Sequence, residues 1–170
     1  MKRIILILMI LVLSISLYGC GQQTEQEIVI PVIFYYHNNL DSKDNFEDVF
    51  VLEVREGSHF QNDTLALLNN YFAGPVSEGC VNPFPTGLQA ISFEQNENTA
   101  RIILSDQIAK LSAIDLTMAA SCLSLTVFEL TPCNTITISA ENSLIANQTA
   151  LVITKDSLLF TDNAHFSIED

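Results

Sequence analysis

The sequence predicts an α+β fold in which two main helices pack on one face of a small mixed β-sheet. Runs of β-branched and aromatic residues are interspersed with two stretches of helical periodicity, and a polar three-residue connection joins two of the runs as a hairpin. Glycine or proline follows each helical stretch. About 150 residues follow a short apolar leader, which is the size of a single domain with its own core.

The first two predicted strands are residues 28–36 and 49–55. The first run contains Pro31, which predicts either an edge strand or a strand that starts past the proline. The second run alternates with period two, as expected of a half-buried strand. Its alternating sets are Phe50, Leu52 and Val54 on one side and Val51, Glu53 and Arg55 on the other.

The first helix is predicted over residues 59–73. Ser58 and Gln61 have the spacing of a capping box, and apolar residues recur with helical spacing as far as Phe72. Gly74 is expected to adopt the left-handed conformation that ends a helix, and Pro75 forbids continuation.

Strands 88–95 and 99–105 are predicted to form a hairpin, with Ile91 and Phe93 on the same side as three residues of the second strand. Those three are Ala100, Ile102 and Leu104. A short helical turn follows, and Ser112 with Asp115 caps a longer helix that Pro132 ends. Its apolar stripe is Leu116, Ala119, Ala120, Leu123, Val127 and Leu130. Residues 135–139 are predicted as a strand, and 150–160 as a further strand or hairpin.

Residues 1–19 are predicted to be a secretion signal, because two cations precede an apolar run that is shorter than the roughly 20 residues of a membrane span. The ending LYGC, 17–20, resembles the bacterial lipobox, although Tyr18 replaces the usual small residue. The resemblance implies acylation of Cys20, with palmitate or a similar chain anchoring the protein in the lipid bilayer on the extracytoplasmic face of the cell membrane. The alternative is an ordinary signal peptide with an incidental cysteine. Polar residues 20–27 are expected to form a flexible tether to a single domain, 28–170.

The mature chain is strongly acidic. Removal of Lys2 and Arg3 with the leader leaves five basic residues against 20 acidic ones, a formal charge of −15. The five remaining cations are scattered singly, so nucleic acid and anionic lipid head groups are not expected as partners.

Three cysteines remain besides Cys20, so they cannot all pair with one another. Cys80 and Cys133 both lie in predicted connections and either form a bridge or stay free. Cys122 lies on a predicted helix face and is expected to be a small buried hydrophobe.

The sequence contains no recognisable catalytic or metal-binding motif. His37, His59 and His165 have no metal-ligand spacing, and Cys80 has no neighbouring cation to lower the pKa of its thiol. The acidic pairs Asp41 with Asp44 and Glu47 with Asp48 lack the order of a calcium loop and are expected on a solvated surface. Neither an enzyme nor a cofactor is therefore expected.

The glycine- and proline-rich stretch 71–87 follows a helix instead of opening one and has no lysine or arginine, so it does not predict a phosphate site. Gly74 and Pro75 are expected to stop a helix, and Pro85 and Gly87 to direct a strand. The middle of the stretch, 76–84, is a candidate docking surface, because Val81 and Phe84 are apolar residues on a loop without core periodicity. The alternative is that they tuck under the sheet. The sequence leaves both alternatives open.

Four segments follow one another in a recognisable order, namely LLNNYFAGP (67–75), FPTGLQAISF (84–93), NTARIILS (98–105) and SCLSLTVFELTPCNTITISAEN (121–142). In this order they resemble the GerMN domain, a family of extracytoplasmic modules in sporulation and spore germination proteins. Two turns depart from the family pattern: SAEN (139–142) replaces an Asp-Gly turn, and NEN (96–98) lacks the usual glycine.

The resemblance implies a non-catalytic layer similar to the ring-building motifs of secretion and sporulation complexes, which acts by docking on other envelope proteins. On this basis the sequence predicts a lipoprotein that supports sporulation or germination through protein contacts. A solute-binding or cell-wall-binding lipoprotein is the alternative and requires a ligand-sized pocket. A secreted hydrolase has the least support.

Overall fold

A computed structural model describes residues 30–38, 49–60 and 63–161, without the side chains of 159–161. The predicted signal peptide and tether, both acidic pairs, Gln61 and His165 lie outside the described residues. Within them the strands are β1 (Pro31–Asn38), β2 (Phe50–Glu56), β3 (Cys80–Val81), β4 (Ala90–Asn96), β5 (Thr99–Leu104), β6 (Thr135–Ala140) and β7 (Leu151–Thr154). The helices are α1 (Thr64–Phe72) and α2 (Ala113–Leu130), with 3₁₀ turns at Ser58–Phe60, Asp106–Lys110 and Lys155–Thr161.

The predicted α+β class is confirmed, and the strands divide into two sheets. The first is antiparallel with the order β2-β1-β3. The second has the order β4-β5-β6-β7 and is mixed, because β5 and β6 run parallel while its other pairs are antiparallel. Buried side chains from both sheets and both helices form one hydrophobic core.

Strand β1 is the central strand of its sheet, so the edge-strand alternative is wrong. Pro31 is its first residue, where a missing N–H is tolerated, and it pairs with Glu56. Further along β1, side chains from the helices satisfy the backbone. The Tyr35 N–H donates to Thr126 Oγ1 at 2.9 Å, and the Tyr71 hydroxyl donates to the Tyr35 carbonyl. These bonds tie both helices to the middle of the sheet.

Helix α1 begins later than predicted. Its N-cap is Asp63, whose Oδ1 accepts from the Ala66 N–H at 2.8 Å. Ser58 therefore does not cap this helix and instead opens a 3₁₀ turn. Aspartate is a strong N-cap residue, which explains why the helix begins after Asp63. The Gly57 N–H donates to the Ile30 carbonyl at 2.8 Å, and this bond holds the backbone at the end of β2 beside the start of β1.

The β4–β5 hairpin is confirmed, with one change of face. Phe93 lies opposite Ile102 as predicted, but a bulge between Ala90 and Ser92 shifts the register, so Ala90 is buried and Ile91 is exposed. Asn96 pairs with Thr99, which leaves a two-residue turn. In that turn Glu97 has a positive φ of 48°. A non-glycine residue thus adopts the left-handed conformation in this turn.

Helix α2 has the predicted cap, since Ser112 Oγ accepts from the Asp115 N–H at 3.2 Å. Its predicted apolar stripe is buried except for Leu130, which is half-buried. Four further side chains are buried because α2 contacts a strand of each sheet, namely Cys122, Ser124, Thr126 and Phe128. The helix is long and apolar enough to cross a membrane, but half of it is buried inside the domain, which marks it as the core helix.

The last two strands close the second sheet. Strand β6 is confirmed and pairs with β7 from Ile138 opposite Leu151 to Thr135 opposite Thr154. The hairpin alternative for 150–160 is wrong, because the chain turns into a 3₁₀ helix at Lys155.

Candidate functional site

The buried face of β2 is its charged face. Glu53 is only 4% exposed, and the Arg55 side chain also lies inside. In contrast, Leu52 and Val54 are 44% and 57% exposed. The half-buried strand is confirmed, but it turns two charged side chains toward the core. A buried pair of charges is costly unless other groups satisfy it, so its partners define what this site does.

Glu53 binds the backbone of the loop after α1. Its Oε1 accepts from Arg55 Nε, and its Oε2 accepts from the backbone N–H groups of Val76 at 2.8 Å and Ser77 at 2.5 Å. Burial acts to raise the pKa of Glu53, but the hydrogen bonds from Ser77, Arg55 and Val76 outweigh it and hold the pKa below its ordinary value. The carboxylate therefore stays charged and bound.

Arg55 binds the same loop and the helix before it. Nη2 donates to the Gly74 carbonyl at 2.6 Å and to the Tyr36 hydroxyl at 2.9 Å, and Nη1 donates to Asn70 Oδ1 at 3.1 Å. The guanidinium also lies over the Phe34 ring, 5.0 Å from its centroid. We call Glu53 and Arg55 the clamp, and residues 74–79 the clamped loop.

The clamp makes stability depend on pH in a defined direction. Because the pKa of Glu53 is lower when folded than its ordinary 4.5, its contribution is fully present above that value and is lost as the pH falls through the lower, folded pKa. We expect the difference in unfolding free energy between wild type and Glu53→Gln to be constant near neutral pH and to shrink below about pH 4.5. Urea unfolding of both proteins from pH 7 to pH 3 measures it. A difference that grows toward acid pH would contradict this assignment.

Gly74 fits the start of the clamped loop for two reasons. Its φ is +107°, and a Cβ atom there would lie 2.9 Å from Asn82 Nδ2. Asn82 in turn donates to the Phe72 carbonyl at 3.3 Å and accepts from the Phe84 N–H at 3.1 Å. Asn82 thus joins the end of α1 to the second half of the 71–87 stretch.

We expect Gly74→Ala to lower the unfolding free energy by about 2 kcal/mol, because the substitution adds both backbone strain and a clash. Gly79→Ala is the matched control. Gly79 also has a positive φ, +89°, but a Cβ atom at that residue would have no other atom within 4 Å. Equal losses in the two variants by urea denaturation would show that the contact with Asn82 contributes nothing.

The second half of the 71–87 stretch belongs to the core. Phe84 is 6% exposed and packs edge-on against Tyr71 and Phe72, each with ring centroids 4.8 Å apart. The idea that Phe84 is exposed for docking is therefore wrong, since aromatic packing buries it. Val81 is half-buried in β3, opposite His37. The turn after Phe84 runs from Pro85 through Gly87, whose φ is +78°, and the Leu88 N–H closes it on the Pro85 carbonyl at 3.1 Å.

The exposed half is the clamped loop itself, in which Val76 is 80% exposed. Ser77, Glu78 and Gly79 are exposed as well. The clamp therefore holds the backbone of a loop whose Val76 and Glu78 side chains are exposed to solvent.

Met118 lines two clefts. The first, about 220 Å³, is lined by His37, Asn82, Phe84 and Asp115 among others. The second, about 370 Å³, is mainly apolar and is lined by Phe50, Ala113, Ile114, Thr117, Met118 and Ser121. His59 is exposed, with Nε2 3.5 Å from Glu56 Oε2. Among the described residues, no three His, Cys, Asp or Glu side chains come together as a metal site.

The described cysteines are free, so the structure contains no Cys80–Cys133 bridge. Cys80 lies in β3, whereas Cys133 is buried beside the β4–β5 turn, its sulfur 3.9 Å from the Glu97 carbonyl. Burial raises the pKa of Cys122 to about 12, and burial together with the Glu53 charge raises that of Cys80. None of these effects produces a reactive thiolate at Cys80 or Cys122.

We expect the Cys20→Ala protein, without reductant, to show three reactive thiols per chain after denaturation and slow modification of Cys80 at pH 7 in the native state. Native Cys122 should not react, since it is buried and its thiol stays protonated. Thiol titration followed by mass spectrometry gives both counts. One thiol in the denatured protein would reveal a bridge.

Three asparagines that sequence reasoning missed hold the loop and its helix. Asn70 accepts from the clamp, and Asn82 bonds the end of α1. Asn69 makes a reciprocal pair with Ala90 of β4. Its Oδ1 accepts from the Ala90 N–H at 2.9 Å, and its Nδ2 donates to the Ala90 carbonyl at 3.3 Å. The signal was the Asn-Asn pair inside an otherwise apolar helix end, where asparagine is unfavourable unless its side chain has a partner.

These observations define an α+β module with a GerMN-like fold, built around a clamped loop. The tandem GerMN domains of the sporulation protein GerM from Bacillus subtilis share this fold, with a TM-score of 0.57 and 14% sequence identity, over 80% of this chain and 49% of that chain. This chain therefore spans about half the length of that tandem.

A candidate lipoprotein from Clostridium perfringens is also similar, at a lower TM-score of 0.45 and 18% identity, over 75% of this chain and 89% of that chain. No protein-family model and no curated protein matches the sequence.

Proposed function

We propose that this chain is a non-catalytic lipoprotein, anchored through acylated Cys20 on the extracytoplasmic face of the cell membrane, that acts in sporulation or spore germination by docking on other envelope proteins. The observation that supports this most is the GerMN-like fold, shared with a sporulation protein at a TM-score of 0.57. The leader and the LYGC ending support the anchor.

The arrangement of charged groups also favours docking over catalysis. Glu53 and Arg55 are the charged pair that the fold buries, and they bind backbone and hydroxyl groups of this chain. These bonds use the polar atoms that a catalytic pair would need for a substrate. The Cys80 thiol has a raised pKa, which is the opposite of an activated nucleophile.

Solute or cell-wall binding has less support from the clefts. The cleft beside His37 has about 220 Å³, below the roughly 300–1,000 Å³ of small-molecule sites. The cleft at Phe50 and Ile114 reaches about 370 Å³, but its lining carries no charged side chain to orient a solute.

The experiment compares the native host with a strain lacking the protein and with strains carrying Cys20→Ala or Cys80→Ala. We expect the deletion to reduce heat-resistant spore yield or germination, Cys20→Ala to reproduce that loss, and Cys80→Ala to behave as wild type. Loss in the deletion but not in Cys20→Ala would remove the anchor from the proposal. Normal spores in every strain, or a host that never sporulates, would contradict the sporulation role.

A further inference from the structure

We propose that the clamped loop is the surface by which this protein recognises its partner, and that the partner presents an apolar pocket beside a cationic group. This inference rests on the proposed docking function and adds to it a site and a partner chemistry. The observation behind it is that a buried clamp holds the backbone from which the exposed side chains of Val76 and Glu78 project.

Holding the clamped loop with two buried charges has a high desolvation cost. Moving a carboxylate and a guanidinium out of water is unfavourable, and apolar residues at the same positions would avoid that desolvation cost. What the charges provide is directional bonds to three backbone groups of the loop, the Gly74 carbonyl and the Val76 and Ser77 N–H groups. The conformation of the loop is therefore specified, and not merely its position.

A loop that is rigid before binding loses little conformational entropy when a partner takes hold of it. Val76 is 80% exposed although the N–H of the same residue is bonded to a buried carboxylate. An exposed apolar side chain on a backbone held in place, as at Val76, is typical of an anchor residue that inserts into a pocket of its partner.

The chemistry of the loop indicates its partner. Beyond Val76 come Ser77, whose side chain hydrogen-bonds Glu53, then the exposed carboxylate of Glu78, and Gly79, beside which there is open space. Residues 71–87 contain no lysine or arginine, and the chain carries a formal charge of −13. Arg55, whose guanidinium bonds the Gly74 carbonyl of the loop, is used by the clamp. An apolar pocket for Val76 next to a basic side chain for Glu78 complements these features.

The test uses the full-length protein in the membranes of its native host. A photo-reactive benzoylphenylalanine is placed at position 76 and, as controls, at the exposed apolar positions 114 and 152. The envelope protein captured is purified, and its affinity for detergent-solubilised full-length variants is measured. We expect capture from position 76 alone, and binding weakened about tenfold or more by Val76→Ser, which removes one buried aliphatic side chain from the interface.

Two more variants examine the partner chemistry and the clamp. Glu78→Lys should weaken binding and reverse its dependence on salt, because it reverses the exposed charge. Glu53→Gln should weaken binding although Val76 is still present, because the Val76 and Ser77 N–H groups lose the carboxylate that they bond. Val152→Ser, on β7 and also highly exposed, should bind within about twofold of wild type.

The outcomes separate the two proposals. Capture from position 114 or 152 but not 76, or unchanged affinity in Val76→Ser, would leave docking standing and overturn the assignment of the loop. Capture from none of the three positions would overturn the assignment of the loop, whereas normal spores in the deletion strain would overturn the proposed function. Capture from position 76 followed by loss of affinity in Val76→Ser but not in Val152→Ser would establish the loop as the recognition surface.

Discussion

Replacing Arg55 by methionine is expected to lower the free energy of unfolding by about 3–5 kcal/mol. The variant keeps most of the aliphatic stem but leaves Glu53 as a buried carboxylate without its cation. It also removes donors from the Gly74 carbonyl, the Tyr36 hydroxyl and Asn70. Urea denaturation at neutral pH measures the loss.

Two controls show whether the unpaired charge is the cause. Arg101→Met removes an exposed cation from β5 and should change the unfolding free energy by less than about 0.5 kcal/mol. The double variant Glu53→Gln with Arg55→Met removes both charges and should be more stable than Arg55→Met alone. If Arg55→Met costs less than about 1 kcal/mol, the clamp does not hold the loop as described.

Tyr71→Ala is expected to destabilise the protein by about 3–5 kcal/mol, the range for deleting a large aromatic side chain from a core. The Tyr71 ring stacks on Phe34 with centroids 4.9 Å apart and meets Phe84 edge-on at 4.8 Å. It is fully buried, so its removal leaves a cavity where the first sheet, α1 and the 71–87 stretch meet. Thermal and urea unfolding both report the effect.

The matched variant Tyr71→Phe separates the hydroxyl from the ring. It keeps the aromatic cluster but removes the hydroxyl that donates to the Tyr35 carbonyl. Loss of this hydrogen bond should lower the unfolding free energy by about 1–2 kcal/mol. Ile114→Ala is the surface control, since that side chain is exposed on α2. Similar losses in Tyr71→Ala and Tyr71→Phe would mean that the hydrogen bond, and not ring packing, dominates at this position.

The local signals of the sequence predicted the elements well where one segment contains the whole signal. The cap of α2 at Ser112, its buried stripe and the β4–β5 hairpin each depend on residues within one short window. The division into two sheets depends on pairings between distant segments, such as β1 with β3 and β5 with β6, and no local pattern encodes those.

The orientation of β2 shows why the candidate site could not be predicted in full. Period-two alternation identifies two faces but not which one is buried when the other face is also part apolar. The partners that stabilise Glu53 and Arg55 come from residues 70, 74, 76 and 77, whose positions depend on α1 and on the turn at Gly74. Only the assembled fold brings these groups to the strand.

In the 71–87 stretch, too, some features follow from residue type and others only from the assembled fold. Its helix stop at Gly74 and its turn at Gly87 follow from residue type, and both residues have positive φ. The burial of Phe84 follows from Tyr71 and Phe72, which present their rings to it only once α1 has packed. The sequence predicted one candidate docking surface over 76–84, whereas packing buries Phe84 at one end of it and exposes Val76 at the other.

Amide hydrogen exchange at Val76 and Ser77 tests the central claim most directly, because exposed loop amides exchange quickly unless they are bonded. If Glu53 holds both N–H groups, they should exchange about 100-fold or more slowly than the amide of exposed Gly79 in the wild type, and Glu53→Gln should abolish most of that protection. Rapid exchange of both amides in the wild-type protein would contradict the clamp, and with it the assignment of this loop as a preformed recognition surface.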